Sequence, residues 1–319
     1  MIPSTAHFVW FGSDFPWLHL LAMRSAQRVG GFERVVLHHD SDLSAARWWP
    51  EATRIPGFEA RRLEPEALIA RLDDLGAPLI DVYRTLDAPA ARSNLVRAAI
   101  LWLEGGVYLD LDTVTVGSFE DLLADGAFFC GEEPIAYPAT VLQGRDPLAW
   151  AGALARDGLR DVLRRLPNGW RAFRRVEGLY HAAVNNAVLG APAGHPFTRH
   201  LLEAMTRVPA ERRTVRYELG TSLLQNEVAG WDAPGLRVYP PEFFFPLGPE
   251  ISTHWFRATR TPDVDTVLTE RARVVHWYAS VRTKEIIPRF DPEWVEARHD
   301  RELLSALVRE RGLDREGDA

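Results

Sequence analysis

Two aspartates one residue apart, Asp110 and Asp112, close the apolar run Val107-Tyr108-Leu109. A strand over 107–111 alternates its side chains, so both carboxylates point to one side of it. Held 4 Å apart at an effective dielectric of 20, two such charges repel by about 4 kcal/mol, and the pair therefore calls for a cation. A divalent metal with oxygen ligands answers that need and would hold a diphosphate against the same two acids. Upstream, Arg97 stands among Leu95, Val96, Ala98, Ala99, Ile100 and Leu101. Such a setting part-buries its guanidinium, which then needs an acceptor: Glu104, another acid, or a ligand's phosphate or hydroxyl. Asn94, three residues before it, occupies a neighbouring position on the same helical face.

The elements that must position these groups are legible around them. Pro89 suits a first helical turn and Gly105-Gly106 a helix stop, after which 107–111 reads as a short buried strand. His7 to Phe11 reads as the first strand, ending at Gly12-Ser13-Asp14, and Pro16 to Val29 as a helix closed by Gly30-Gly31. Arg34 to His39 is a second strand; His38 and His39, being adjacent, point to opposite faces and cannot easily share one ion. A helix is expected around Glu64 to Leu72. Over Arg156 to Arg175, arginines 156, 160 and 164 at i, i+4 spacing read as the solvated face of an amphipathic helix, with contact to an acceptor or an anionic surface as the functional alternative. Pro292 to Arg311, with Trp294, Ala297, Leu303, Leu304 and Leu307, reads as a helix packed on the body, followed by a polar tail that frays.

A chain of 319 residues with 46% hydrophobic content can bury a large core, and the expectation is one α/β domain over 1–290 with a C-terminal helix and tail over 291–319. The formal net charge of −7 argues against a broad nucleic-acid-binding surface, so any phosphate site must be local. The single cysteine, Cys130, excludes an internal disulfide framework and suits a reducing compartment. The N-terminal residues lack a basic leader and no apolar run reaches the length of a membrane span, so a soluble, cytoplasmic protein is expected.

Ser93-Asn94-Leu95-Val96-Arg97, followed by Gly105-Gly106-Val107-Tyr108-Leu109-Asp110-Leu111-Asp112-Thr113, resembles the signature of glycosyltransferase family 32. These are sugar transferases with a DXD motif, related to initiating mannosyltransferases and to the glucosylating domain of large clostridial toxins. The opening His7-Phe8-Val9-Trp10-Phe11-Gly12, the Asn185-Asn186…Gly194-His195-Pro196 segment and the closing His276-Trp277-Tyr278-Ala279-Ser280 are similar to further family segments. The resemblance implies a GT-A-type fold, Rossmann-like, with a mixed, mostly parallel sheet flanked by helices.

It also implies a metal-dependent, retaining transfer of a sugar from a nucleotide-diphosphate donor to the hydroxyl of an acceptor. Asp110, Asp112 and Arg97 would be catalytic. Asp110, Asp112 and His276 would hold Mn2+ or Mg2+. Trp10 would stack on the base, favouring UDP; Asn94, Arg97, Tyr108, Asp110, Asn185, Asn186 and Ser280 would complete the donor site. Two departures stand out: asparagine at 94 where the family has aspartate, and Val281 in place of a tryptophan. Two alternatives compete. A haloacid dehalogenase-type phosphohydrolase would use Asp110 as nucleophile and Asp112 as acid/base, but needs a downstream cation and acidic pair, and Lys284 is the lone lysine. A non-catalytic sugar-nucleotide binder would accommodate the two departures.

Overall fold

The computed structural model describes residues 1–259, 262–279 and 285–315. Its centre is a seven-stranded sheet in the order β3-β2-β1-β4-β7-β6-β8, built from β1 (Thr5–Trp10), β2 (Arg34–His39), β3 (Phe58–Arg62), β4 (Gly106–Leu109), β6 (Phe128–Ile135), β7 (His181–Ala191) and β8 (Leu236–Tyr239). Strands β3, β2, β1 and β4 run parallel, β7 is antiparallel to both β4 and β6, and β8 is parallel to β6. A separate antiparallel pair joins β5 (Thr113–Thr115) to β9 (Val274–His276). This mixed, mostly parallel sheet flanked by helices is the GT-A-type arrangement expected.

Alternation along β4 explains the layering. Val107 and Leu109 enter one apolar cluster with Phe8, Leu37 and helix α1 (Trp17–Arg28), whereas Tyr108 enters the other with helix α2 (Pro89–Glu104). The α2–β4 junction depends on Gly105 and Gly106, at φ +67° and +96°. A Cβ there would lie 2.6 Å from Ala193 N and 2.7 Å from Thr5 O respectively.

Several boundaries differ from expectation. β4 ends at Leu109, not Leu111, because the Asp110 N–H makes the last sheet bond, to Ala187 O at 2.9 Å, and the Thr113 hydroxyl then caps Asp110 O at 2.7 Å, turning the chain. The carboxylates therefore sit on a turn beyond the strand. The helix expected at Glu64–Leu72 is the short Pro65–Ile69, followed by Gly76–Arg84. The single C-terminal helix is two, Pro292–Arg298 and Leu303–Glu310; Leu303, Leu304, Leu307 and Val308 belong to the same apolar cluster as Phe8 and Val107. Of the tail expected to fray, 316–319 lie outside the described residues.

The arginine-rich helix is the largest correction. Arg164 is buried, and both Arg160 and Arg164 turn inward to Glu250, with Arg160 Nη1 donating to Glu250 Oε2 at 2.9 Å. They are not a solvated face.

Candidate functional site

Parallel pairing of His7 with Tyr108 brings the carboxyl ends of β1 and β4, and with them Trp10 and the 110–112 turn, to one sheet edge. The β5–β9 pair crosses this turn. Its register sets Thr113 opposite His276, and the Trp277 N–H donates to Asp112 O at 3.0 Å. His276 Nε2 consequently lies 2.9 Å from Asp112 Oδ1, and the Ala279 N–H donates to Asp112 Oδ2 at 2.8 Å. One ligand atom each from Asp110, Asp112 and His276 falls within 4.8 Å of the others. Two carboxylate oxygens and an imidazole form a donor set that suits manganese or magnesium. His276 turns Nε2 to this group, while its Nδ1 is buried without a hydrogen-bond partner among the described residues.

Charge within the group is balanced by proximity. Burial works against the Asp112 carboxylate, but His276 and the N–H donors outweigh it and hold its pKa below the ordinary value. Burial likewise opposes the His276 imidazolium, and Asp112 outweighs it, raising the pKa. For Asp110 burial prevails: its pKa is raised, with Arg97 opposing the rise and Asp112 adding to it.

A second group of residues meets Asp110 from β4 and α2 and links it onward to β7. The Tyr108 hydroxyl donates to Asp110 Oδ1 at 2.6 Å, and Arg97 Nη2 reaches the same oxygen at 3.1 Å. Arg97 also donates to Ser93 Oγ at 3.2 Å and to Asn186 O, and its guanidinium lies 4.2 Å from the centre of the Tyr108 ring. Asn186 Nδ2 in turn donates to Asn94 Oδ1 at 2.9 Å. The acceptor that buried Arg97 required is thus Asp110 together with backbone and hydroxyl oxygens, not Glu104, which binds Arg61.

Asn94, Arg97, Tyr108, Asp110 and Asn186 form one connected network. Asn185, its neighbour on β7, turns to the other side, where its Oδ1 accepts the Ala187 N–H at 2.7 Å and its amide meets Glu133. Trp10 makes no contact with the carboxylates; its ring packs edge-on to His19 with centroids 4.3 Å apart. His38 and His39 point apart, to His7 and to Ser41 O. Ser280 and Val281 lie outside the described residues.

Glu133 went unrecognised in the sequence. It is buried on β6 and accepts the Tyr278 hydroxyl on Oε2 at 2.5 Å. Tyr278 has φ +58°, a left-handed conformation uncommon outside glycine, in the segment that carries His276 and Ala279. No alternation marks it, because Phe128–Ile135 is buried almost throughout; strand geometry says only that the adjacent acids Glu132 and Glu133 face opposite sides.

Residues 35–129 match the family model described as the glycosyltransferase sugar-binding region containing a DXD motif. The match takes in both aspartates of the DXD motif and covers less than a third of the chain. Among curated proteins none matches the chain by sequence. Solved structures similar to this chain include the PaToxG glycosyltransferase, at 15% identity over 72% of this chain and 69% of that one, TM-score 0.47. Mouse xyloside xylosyltransferase 1 is similar at 13% identity over 85% and 96%, TM-score 0.48. The UDP-bound glycosyltransferase domain from the YGT toxin is similar at 11% identity over 74% and 79%, TM-score 0.40. Likenesses of this size carry no functional detail.

Proposed function

We propose that this glycosyltransferase moves a sugar, with retention at the anomeric carbon, from a UDP-linked donor to an acceptor hydroxyl, using Mn2+ or Mg2+ held by Asp110, Asp112 and His276. Residues 1–290 would form the transferase domain and 291–319 its C-terminal helical segment, working in a reducing, cytoplasmic setting in keeping with the buried, unpaired Cys130. The observation that carries the reading is the convergence of the Asp110, Asp112 and His276 ligand atoms within 4.8 Å at the carboxyl edge of β4, inside the matched DXD region for the two acids.

When bound, the divalent cation neutralises charge on the departing diphosphate. The remaining roles belong to the chain. Asp112 is oriented by His276 and the Ala279 N–H, and Asp110 by Tyr108 and Arg97. Asn94 and Asn186 offer amide groups to sugar hydroxyls, and Arg97 supports them through the Asn186 carbonyl. Trp10 supplies a flat face for the base. The bond from the anomeric carbon to the diphosphate oxygen breaks, the acceptor oxygen bonds that carbon on the same face, and the departing oxygen takes the acceptor's proton.

Isothermal titration with UDP and with GDP, each with and without manganese, tests this directly. UDP binding that requires manganese and is lost in Asp112→Ala is expected; release of free sugar from UDP-sugars would then separate an enzyme from a non-catalytic binder. Metal-independent binding, or none, would overturn the assignment of the carboxylates.

A further inference from the structure

Between β6 and β7 the chain leaves the sheet through α3 (Pro147–Arg165) and α4 (Gly169–Val176). Helix α3 buries charge beside carbon: its buried residues are Ala153, Leu163 and Arg164. Its inner side carries Arg160 and Arg164, bonded to Glu250, and Arg164 also donates to Pro249 O at 3.0 Å. Its outer side exposes apolar side chains around Arg165: Leu148 is 82% exposed, Leu154 59% and Val162 54%, with Ala151 and Ala155 between them and Leu166, 47% exposed, just past the helix end. At 100° per residue, positions 148, 151, 155 and 162 fall on one stripe.

Exposed apolar residues scattered singly are ordinary, but these are not scattered. Six of the ten large apolar side chains exposed among the described residues lie between 142 and 179, Leu142 and Leu179 completing the set. The same stretch holds eight arginines and four acids, in a chain whose formal net charge is −7; of the arginines, 160 and 164 turn inward to Glu250, Arg171 pairs with Asp263 and Arg174 bonds Thr266 O. Arg145, Arg165 and Arg175 are exposed there.

An outward apolar stripe bordered by arginines has the chemistry of the lipid–water boundary, where leucines sink below the headgroups and guanidinium heads reach phosphates. A second copy of this chain on the same face would bring two cationic stretches together, which charge opposes. We propose that the outer face of α3 docks on the surface of an anionic lipid bilayer, the helix lying in the membrane plane. It lies on the membrane rather than crossing it: no helix among the described residues is long and apolar enough to span one.

Flotation of the purified full chain with vesicles of phosphatidylcholine alone, or of phosphatidylcholine with about one-third phosphatidylglycerol, tests the proposal. Partition onto the anionic vesicles is expected to exceed that onto the neutral ones by about tenfold or more and to fall as salt is raised. Leu148→Asp/Leu154→Asp/Val162→Asp should lose vesicle binding at an unchanged melting temperature, since all three side chains face solvent. Arg165→Glu/Arg175→Glu should lose the anionic preference while leaving the apolar face intact. Wild-type protein that floats with neither vesicle, or a triple variant that binds as wild type does, would overturn the proposal. So would a concentration-dependent dimer in sedimentation velocity that the triple variant abolishes, because that outcome assigns the face to a second copy.

Discussion

Arg97 Nη2 and the Tyr108 hydroxyl converge on one oxygen, Asp110 Oδ1, at 3.1 and 2.6 Å. The first acid of the DXD pair is thereby oriented by the fold before any ligand arrives. Removing one partner of a buried ion pair strands the other, at a cost of about 3–5 kcal/mol for full burial. Asp110 keeps a quarter of its side chain exposed, so Arg97→Met should cost less, roughly 2 kcal/mol. Arg97→Lys should restore part of it, having charge but no fork. Urea unfolding measures both; a methionine variant as stable as wild type would mean that Asp110 does not depend on Arg97.

Gly220 sits against the amide pair. A Cβ there would lie 2.7 Å from Asn94 Nδ2 and 3.3 Å from Asn186 Nδ2. Gly220→Ala must therefore push Asn94 away from Asn186. If these amides hold the donor sugar, losing one or two hydrogen bonds should weaken donor binding by about tenfold, with little effect on UDP itself. Titration with UDP and with a UDP-sugar separates the two; equal losses for both would place the amides away from the sugar.

How far these arrangements could be read beforehand depends on sequence separation. The block from Ser93 to Thr113 was legible because helix, glycine stop, strand and acids are contiguous, and each leaves a local signature. His276 was nameable by resemblance alone: its contact with Asp112 spans 164 residues and depends on the β5–β9 register, which no local pattern encodes. The arginine spacing of α3 misled for the same reason. Arginines at i, i+4 look solvated until Glu250, 90 residues from Arg160, supplies a buried counter-charge. Placing the strand end two residues late followed from treating apolar Leu111 as sheet, when the Thr113–Asp110 turn bond had already bent the chain.

The Glu133–Tyr278 bond acts as a strut beneath the site. Tyr278 lies between His276 and Ala279, both of which touch Asp112, and its left-handed backbone needs an anchor. Tyr278→Phe removes a donor from a buried carboxyl and should cost about 1–3 kcal/mol of stability. Manganese-dependent nucleotide binding should weaken with it, whereas Glu133→Gln, which still offers an oxygen to the hydroxyl, should retain most of both. Calorimetry and titration read the two effects; a phenylalanine variant that binds as wild type does would remove Tyr278 from any positioning role.

Acid should destabilise the protein through a pair of rings outside the site. His7 Nδ1 lies 3.1 Å from His38 Nε2, and His7 Nε2 lies 3.1 Å from Gly105 O. That chain of contacts is satisfied when His38 donates to His7 and His7 donates to the carbonyl, which requires a neutral His7 ring. Burial accordingly pushes the His7 pKa down to about 4 and that of His38 well below its usual value. In the unfolded chain both titrate near 6.5. As pH falls from about 6.5 toward 4, the unfolded state takes up protons that the fold excludes; the stability contributed by neutral rings is present above that window and lost within it. The urea midpoint should therefore drop between about pH 7 and pH 4.5, and less steeply in His38→Gln, whose amide can still donate to His7 with no ring to titrate. Parallel losses in the two proteins would assign the acid sensitivity instead to His254, which burial also lowers to about 4, or to His19, lowered to about 3.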